Sequence, residues 1–228
     1  MLQRLTILAL ASSAALAEQA VMPSFRASED FDLTANPLSA NWRGVPGVET
    51  SNDRYGKPVA GARTEIRSRW TGANLYFLFV SDFERMNLRS KPERITETFG
   101  IWENDVVEVF IGHDLERINR YKEFEVTPQE EWVDLDVDKD RQGRPTDWLW
   151  NSGMSARSFV DQERKRWYCE IRIPWTAIDP REIKAGNELR LNLYRIEGNN
   201  PDRKYIAWRP VGNPSYHTPK AFGRLRLQ

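Results

Sequence analysis

Residues 101–112 read IWENDVVEVFIG, and the fold turns on how that stretch is phased. A strand points successive side chains to opposite faces. Asp105, Val107, Val109 and Ile111 then share one face, and Asn104, Val106, Glu108 and Phe110 the other. The first face is apolar from 107 to 111 and belongs in a core. The second sets a carboxylate, Glu108, between Val106 and Phe110, where an ionised group is costly unless it is paired or opens onto a cleft. An arginine or a hydroxyl-bearing ligand would satisfy it.

The flanking sequence repeats this grammar. TEIRSRW (64–70) and NLYFLFVSD (74–82) are separated by TGA, a hairpin spacing with its glycine. The unbroken apolar run LYFLFV predicts a strand covered on both faces. YKEFEVT (121–127) stops at Pro128, and EWVDLDVD (131–138) alternates strictly. GMSARSFVD (153–161) pairs with KRWYCEIRIPW (165–175), after which IPWTAI allows one helical turn. NELRLNLYRIE (187–197), KYIAW (204–208) and FGRLRL (222–227) close the chain. About ten strands and no long amphipathic helix predict an antiparallel all-β sandwich. Residues 18–37 read as an extended N-terminal arm, with the first core signal near Leu38 and Trp42. The long polar connection over 83–100 is a candidate binding loop.

Length and composition narrow the setting. The 228 residues suit one domain with a full core. A basic residue, an apolar run from Leu5 to Leu16 and Ala15-Leu16-Ala17 form a secretory signal peptide over 1–17. The protein is therefore expected to be secreted or periplasmic, with no membrane insertion after cleavage. Equal numbers of acidic and basic residues, 33 of each, argue against a nucleic-acid partner. Cys169 is the single cysteine; it alternates inward with Trp167, Ile171 and Ile173 as a core thiol. Nine tryptophans and seven tyrosines exceed what a core alone calls for and suit sugar recognition, since pyranose C–H faces stack on rings.

Candidate chemistry gathers on carboxylates. Glu123 and Glu125 share a strand face with Tyr121, one strand from Glu108. Such a group could be a glycosidase pair, a sugar-binding rim, a calcium site, or a solvated face crossed by salt bridges. Asp136, Asp138 and Asp140 echo the spacing of a calcium loop, although Arg141 stands where that loop requires glycine. Of two histidines, His113 reads as a turn residue and His217 lies beside Tyr216. No zinc-helix, nucleophile-elbow or phosphate-loop pattern appears.

Four stretches in order, IWENDVVEVFIG, YKEFEVTP with Asp134 following, RWYCEIRIPWTAI and IAWRPVGNPSYHTPKAFGRLRL, resemble the family 9 carbohydrate-binding modules and their family 9-like branch over residues 38–228. The resemblance implies an immunoglobulin-like β-sandwich without catalytic residues, holding a sugar-chain end between two rings. Here those rings fall at Trp102 and Tyr216. Glu108 matches the glutamate that reads hydroxyls, Asn213 lies where polar contacts are placed, and His217 adjoins them. Glu125 stands where the family has a sugar-binding arginine; for a second such arginine, Arg203 or Lys204 is nearest. Structural calcium is a further family property.

The resulting expectation is an exported, non-catalytic carbohydrate-binding domain, its partner a poly- or oligosaccharide, working beside glycan-degrading enzymes in polysaccharide catabolism. Alanine at Trp102 or Tyr216 should abolish binding and spare the fold. The alternatives are a glycoside hydrolase using Glu108 and Glu125, a haem or redox sandwich drawing on Met86, Met154 or His217, and an interaction domain that has lost the sugar site.

Overall fold

The computed structural model describes residues 20–143 and 145–228; the predicted signal peptide lies outside the described residues. Thirteen strands form the chain: β1 (Val21–Arg26), β2 (Gly47–Thr50), β3 (Thr64–Trp70), β4 (Asn74–Asp82), β5 (Val106–Gly112), β6 (Arg120–Val126), β7 (Trp132–Asp138), β8 (Thr146–Asp147), β9 (Ser155–Asp161), β10 (Arg166–Pro174), β11 (Glu188–Glu197), β12 (Lys204–Ala207) and β13 (Gly223–Leu227). The three that the sequence count passes over are β1, β2 and β8. Two of them are short, and β1 lies in the predicted arm, where no alternation marks it. Among the described residues, helix is confined to one turn, Trp175–Ile178, and two 3-10 turns, Ile101–Glu103 and Pro219–Ala221. No helix among the described residues is long and apolar enough to cross a membrane.

The strands make two layers, β8-β7-β6-β5-β11-β13 and β3-β4-β10-β9. Strand β1 joins them: Val21–Ser24 pairs in parallel with β13, and Phe25–Arg26 with β3. Its inward Ser24 hydroxyl bonds that of Ser68 at 2.8 Å, closing a buried polar pair. All other ladders are antiparallel.

The main core fills the space between the layers. Val107, Val109 and Ile111 of β5 and Leu189, Leu191 and Leu193 of β11 meet Leu75, Phe77 and Phe79 of β4 and the inward face of β10. Cys169 is buried there, and burial drives its thiol pKa far up. The apolar run of β4 is covered on both sides. Its other face, Tyr76, Leu78 and Val80, packs under residues 31–42 with Trp42 wholly buried, whereas Leu38 is exposed. Glu170 fastens that covering segment: one carboxylate oxygen accepts from the amides of Thr34 and Ala35, the other from the Trp42 indole, each at 2.7 Å.

A third apolar group lies on the outward face of the first layer. Phe110, Tyr121, Leu135, Tyr194 and Ile196 are roofed by Val211, Tyr216 and Phe222 of the segment leading into β13. The roof is incomplete, and the gap is the site.

Candidate functional site

The gap is a cavity of about 590 Å³ over β5, β6, β7 and β11. Its floor is set by register. Glu108 of β5 lies directly opposite Glu125 of β6, and Phe110 opposite Glu123. One oxygen from each of the three glutamates lies within 4.8 Å of the others. The acids are 2%, 5% and 1% exposed for Glu108, Glu123 and Glu125, so this is no solvated face.

Among the described residues, no lysine or arginine lines the cavity. Arg203 is the permanent charge that acts on Glu108, yet its guanidinium donates to the backbone carbonyls of Trp102 and Glu103. His217 comes within 3.8 Å of Glu123 through Nε2, while its Nδ1 bonds the Tyr121 hydroxyl at 2.7 Å. Like charges placed opposite on adjacent strands repel, and burial penalises the ionised form. Both effects act here. Burial, then the Glu123 charge, pushes the Glu108 carboxyl well above the usual range. Burial, then Glu108, does the same to Glu125, and burial raises Glu123. Each of the three carboxyls is thereby made easier to protonate than a free one. Oε2 of Glu123 and Oε2 of Glu125 are buried without a hydrogen-bond partner.

The rim is aromatic. Gly100, in the left-handed region at φ 85°, turns the chain into the Ile101–Glu103 turn. Ile101 is the buried anchor, and Trp102 is left half-buried over the cavity. Arg203 and the Asn87 amide, which donates to the Glu103 carbonyl at 2.9 Å, hold the turn down. Phe99 meets Trp102 edge-on at 4.7 Å and Trp148 at 5.3 Å. Phe99 is 54% exposed. The three rings form an open angular wall above the acids.

The expected residues separate on this geometry. Trp102, Glu108, Glu125, Tyr216 and His217 all line the cavity. Asn213 does not; it is exposed, and its side-chain oxygen accepts from the Ser215 amide at 2.9 Å, closing its own turn. Tyr216 is not the free wall that the sequence suggested. It is 8% exposed, one face stacks on Tyr194 at 3.9 Å, and its hydroxyl donates toward the carbonyls of Ile206 and Arg195. The expectation that alanine at this position spares the fold is corrected accordingly.

Glu123, one of the carboxylates the sequence singled out, joins the site, and Phe99 and Trp148 complete it without having been read as site residues. Phe99 had a signal, since it lies in the connection singled out as a binding loop. Trp148 had none, because it follows the two-residue β8. The aspartates of the β7 end do not gather. Asp136 pairs with Lys122 at 2.7 Å, Asp138 with Arg120 at 2.8 Å, and Asp140 accepts from Asn119 at 2.6 Å. Strand register decides this: Asp136 and Asp138 face Lys122 and Arg120 across the ladder. Among the described residues, the acid cluster with ligand atoms close enough to share an ion is the glutamate floor.

A carboxyl whose pKa is raised takes up a proton more readily, and a protonated carboxyl both donates and accepts, which suits these groups to binding hydroxyls.

Comparison with known proteins matches residues 37–228 to the carbohydrate family 9 binding domain-like family. An extracellular protein of Arthroderma benhamiae is 25% identical over 72% of this chain and 78% of its own length. Endo-1,4-beta-xylanase A of Thermotoga neapolitana is 24% identical over 82% of this chain, which spans only 16% of that enzyme. A Bacteroides uniformis structure solved as a candidate carbohydrate-binding protein superposes with a TM-score of 0.72, at 16% identity over 92% of this chain and all of that one. A family 9 carbohydrate-binding module from Caldicellulosiruptor kristjanssonii, solved with cellotriose, gives 0.62 at 13% identity over 92% and 94% of the two chains.

Proposed function

The chain belongs to the carbohydrate family 9 binding domain-like family, and on that premise we propose that it is an exported, non-catalytic carbohydrate-binding protein. A sugar residue enters the cavity beneath Trp102, lays a C–H face on the rim rings, and turns its hydroxyls to the glutamates. The observation that carries this reading is the pairing of an aromatic wall with buried, unsatisfied carboxyls in a cavity of about 590 Å³. An apolar pocket with a few convergent polar groups is what small-ligand sites are built from. Tyr216 supports the wall from behind, and Trp102, Phe99 and Trp148 carry the stacking. Affinity for one such residue falls in the micromolar to millimolar range, about −4 to −8 kcal/mol.

Export rests on the leader pattern at 1–17 and fits an extracellular relative. A role beside glycan-degrading enzymes fits the likeness to a segment of a xylanase. A glycan array followed by calorimetry with cello- and xylo-oligosaccharides tests the reading. Binding should weaken at least tenfold in Trp102→Ala and in Phe99→Ala, with thermal midpoints close to the parent. Silence across the array, or affinity indifferent to both substitutions, would sink it.

A further inference from the structure

We propose that the sugar held in this cavity carries a positive charge: an amino sugar whose ammonium is received by Glu108, Glu123 and Glu125. This rests on the carbohydrate-binding reading and specifies its substrate class.

The first support is what the floor lacks. Three buried carboxyls, two with an unpartnered oxygen, face the cavity, and among the described residues no lysine or arginine lines it. Arg203 donates to the carbonyls of Trp102 and Glu103, while His217, whose Nδ1 bonds the Tyr121 hydroxyl, brings Nε2 to 3.8 Å from Glu123. The other titratable groups bordering the acids are the hydroxyls of Tyr121, Tyr194 and Tyr216, which offer no positive charge. A buried unsatisfied acceptor is costly, and it invites a donor from the ligand.

The second support is shape. An ammonium donating to three oxygens at about 2.8 Å holds those oxygens about 4.6 Å apart when the donors are tetrahedral. One oxygen of each acid lies within 4.8 Å of the others, near enough for a single ammonium to reach all three. A divalent ion fits less well, because calcium takes 6–8 oxygens and most of the lining beyond the acids is aromatic or aliphatic. Ring faces such as that of Trp102 attract an organic cation while also stacking the sugar that bears it.

The test uses three β-1,4-linked disaccharides differing at C2: the glucosamine dimer with free amines, its N-acetylated form, and cellobiose. Calorimetry near pH 6, where the amines are charged, should show the glucosamine dimer binding at least tenfold more tightly than cellobiose. Glu125→Gln, isosteric and uncharged, should erase that preference with the melting curve retained; Glu108→Gln serves if the first variant misfolds. Equal or tighter binding of cellobiose or of the N-acetylated dimer overturns the proposal and leaves carbohydrate binding standing. Loss of all three removes both readings. Methylammonium binding as tightly as the amino sugar, or a requirement for calcium that Glu125→Gln abolishes, also overturns it.

Discussion

Replacing Tyr216 with alanine should unfold this protein before it reveals anything about sugar. The ring is 8% exposed and stacked on Tyr194 at 3.9 Å with an interplanar angle of 14°. Removing a buried ring of this size costs about 3–5 kcal/mol through lost transfer energy and the cavity left behind. The hydroxyl adds about 1 kcal/mol, since it bridges the carbonyls of Ile206 and Arg195 at 3.1 and 3.3 Å. At roughly 2–4 °C per kcal/mol for a chain of this size, Tyr216→Ala should melt about 10–20 °C below the parent. Tyr216→Phe keeps the stack and should lose only about 2–4 °C. Trp102→Ala, at a half-buried rim position, should cost about 1–2 kcal/mol and place its main effect on ligand affinity. Thermal unfolding followed by tryptophan fluorescence measures all three. A Tyr216→Ala midpoint within about 2 °C of the parent would refute the view that this ring is a packing wedge, and would restore it as a free wall of the slot.

Stability should fall as pH rises from about 5 to 8. Asp105 and Glu97 are raised to about 6 and about 8, both chiefly by burial, and the glutamate floor moves the same way. The folded state then binds more protons than the unfolded chain, whose carboxyls titrate near 4, so unfolding becomes easier with increasing pH. Urea midpoints at pH 5 and 8 check this, and Glu125→Gln should reduce the difference; a midpoint that climbs over this range contradicts it. Arg203→Ala should free the carbonyls of the Trp102 turn and weaken ligand binding severalfold with little change in melting, read by calorimetry. Gly100→Val, forced into the left-handed region, should cost about 1 kcal/mol or more and dull ligand-induced changes in tryptophan fluorescence. Glu170→Leu strands three donors, costs roughly 3 kcal/mol or more, and should expose residues 31–42 to hydrogen exchange.

Much of the fold was legible because burial writes a period into sequence. Val107, Val109 and Ile111 had to face inward once Glu108 was assigned outward, and the same alternation placed Leu189, Leu191 and Leu193 and Cys169. The double cover of β4 followed from its unbroken apolar run. Strand β1 was not legible, because its six residues, VMPSFR, carry no alternation, and its place comes from pairing with β13 and β3 at the two ends of the chain's tertiary path. Leu38 shows the converse error: an apolar residue near a core tryptophan that solvent keeps.

The sequence by itself determined the two-faced strands, with Glu108 on the face opposite Val107 and Val109 of its strand and Glu123 and Glu125 on one face of theirs, since the side-chain period of a strand is two. Tertiary structure decided what those residues became. Register set Glu108 against Glu125, with no arginine between them, and carried the β7 aspartates to Lys122 and Arg120 instead of to one another. The segment before β13 stacked Tyr216 onto Tyr194, and the loops brought Phe99 and Trp148 to Trp102. Pairing and packing between segments distant in the chain depend on free energies summed over the whole sandwich, and no local pattern records them. The strand IWENDVVEVFIG thus fixed which way a carboxylate points; the fold fixed that it points into an aromatic-walled cavity beside two more.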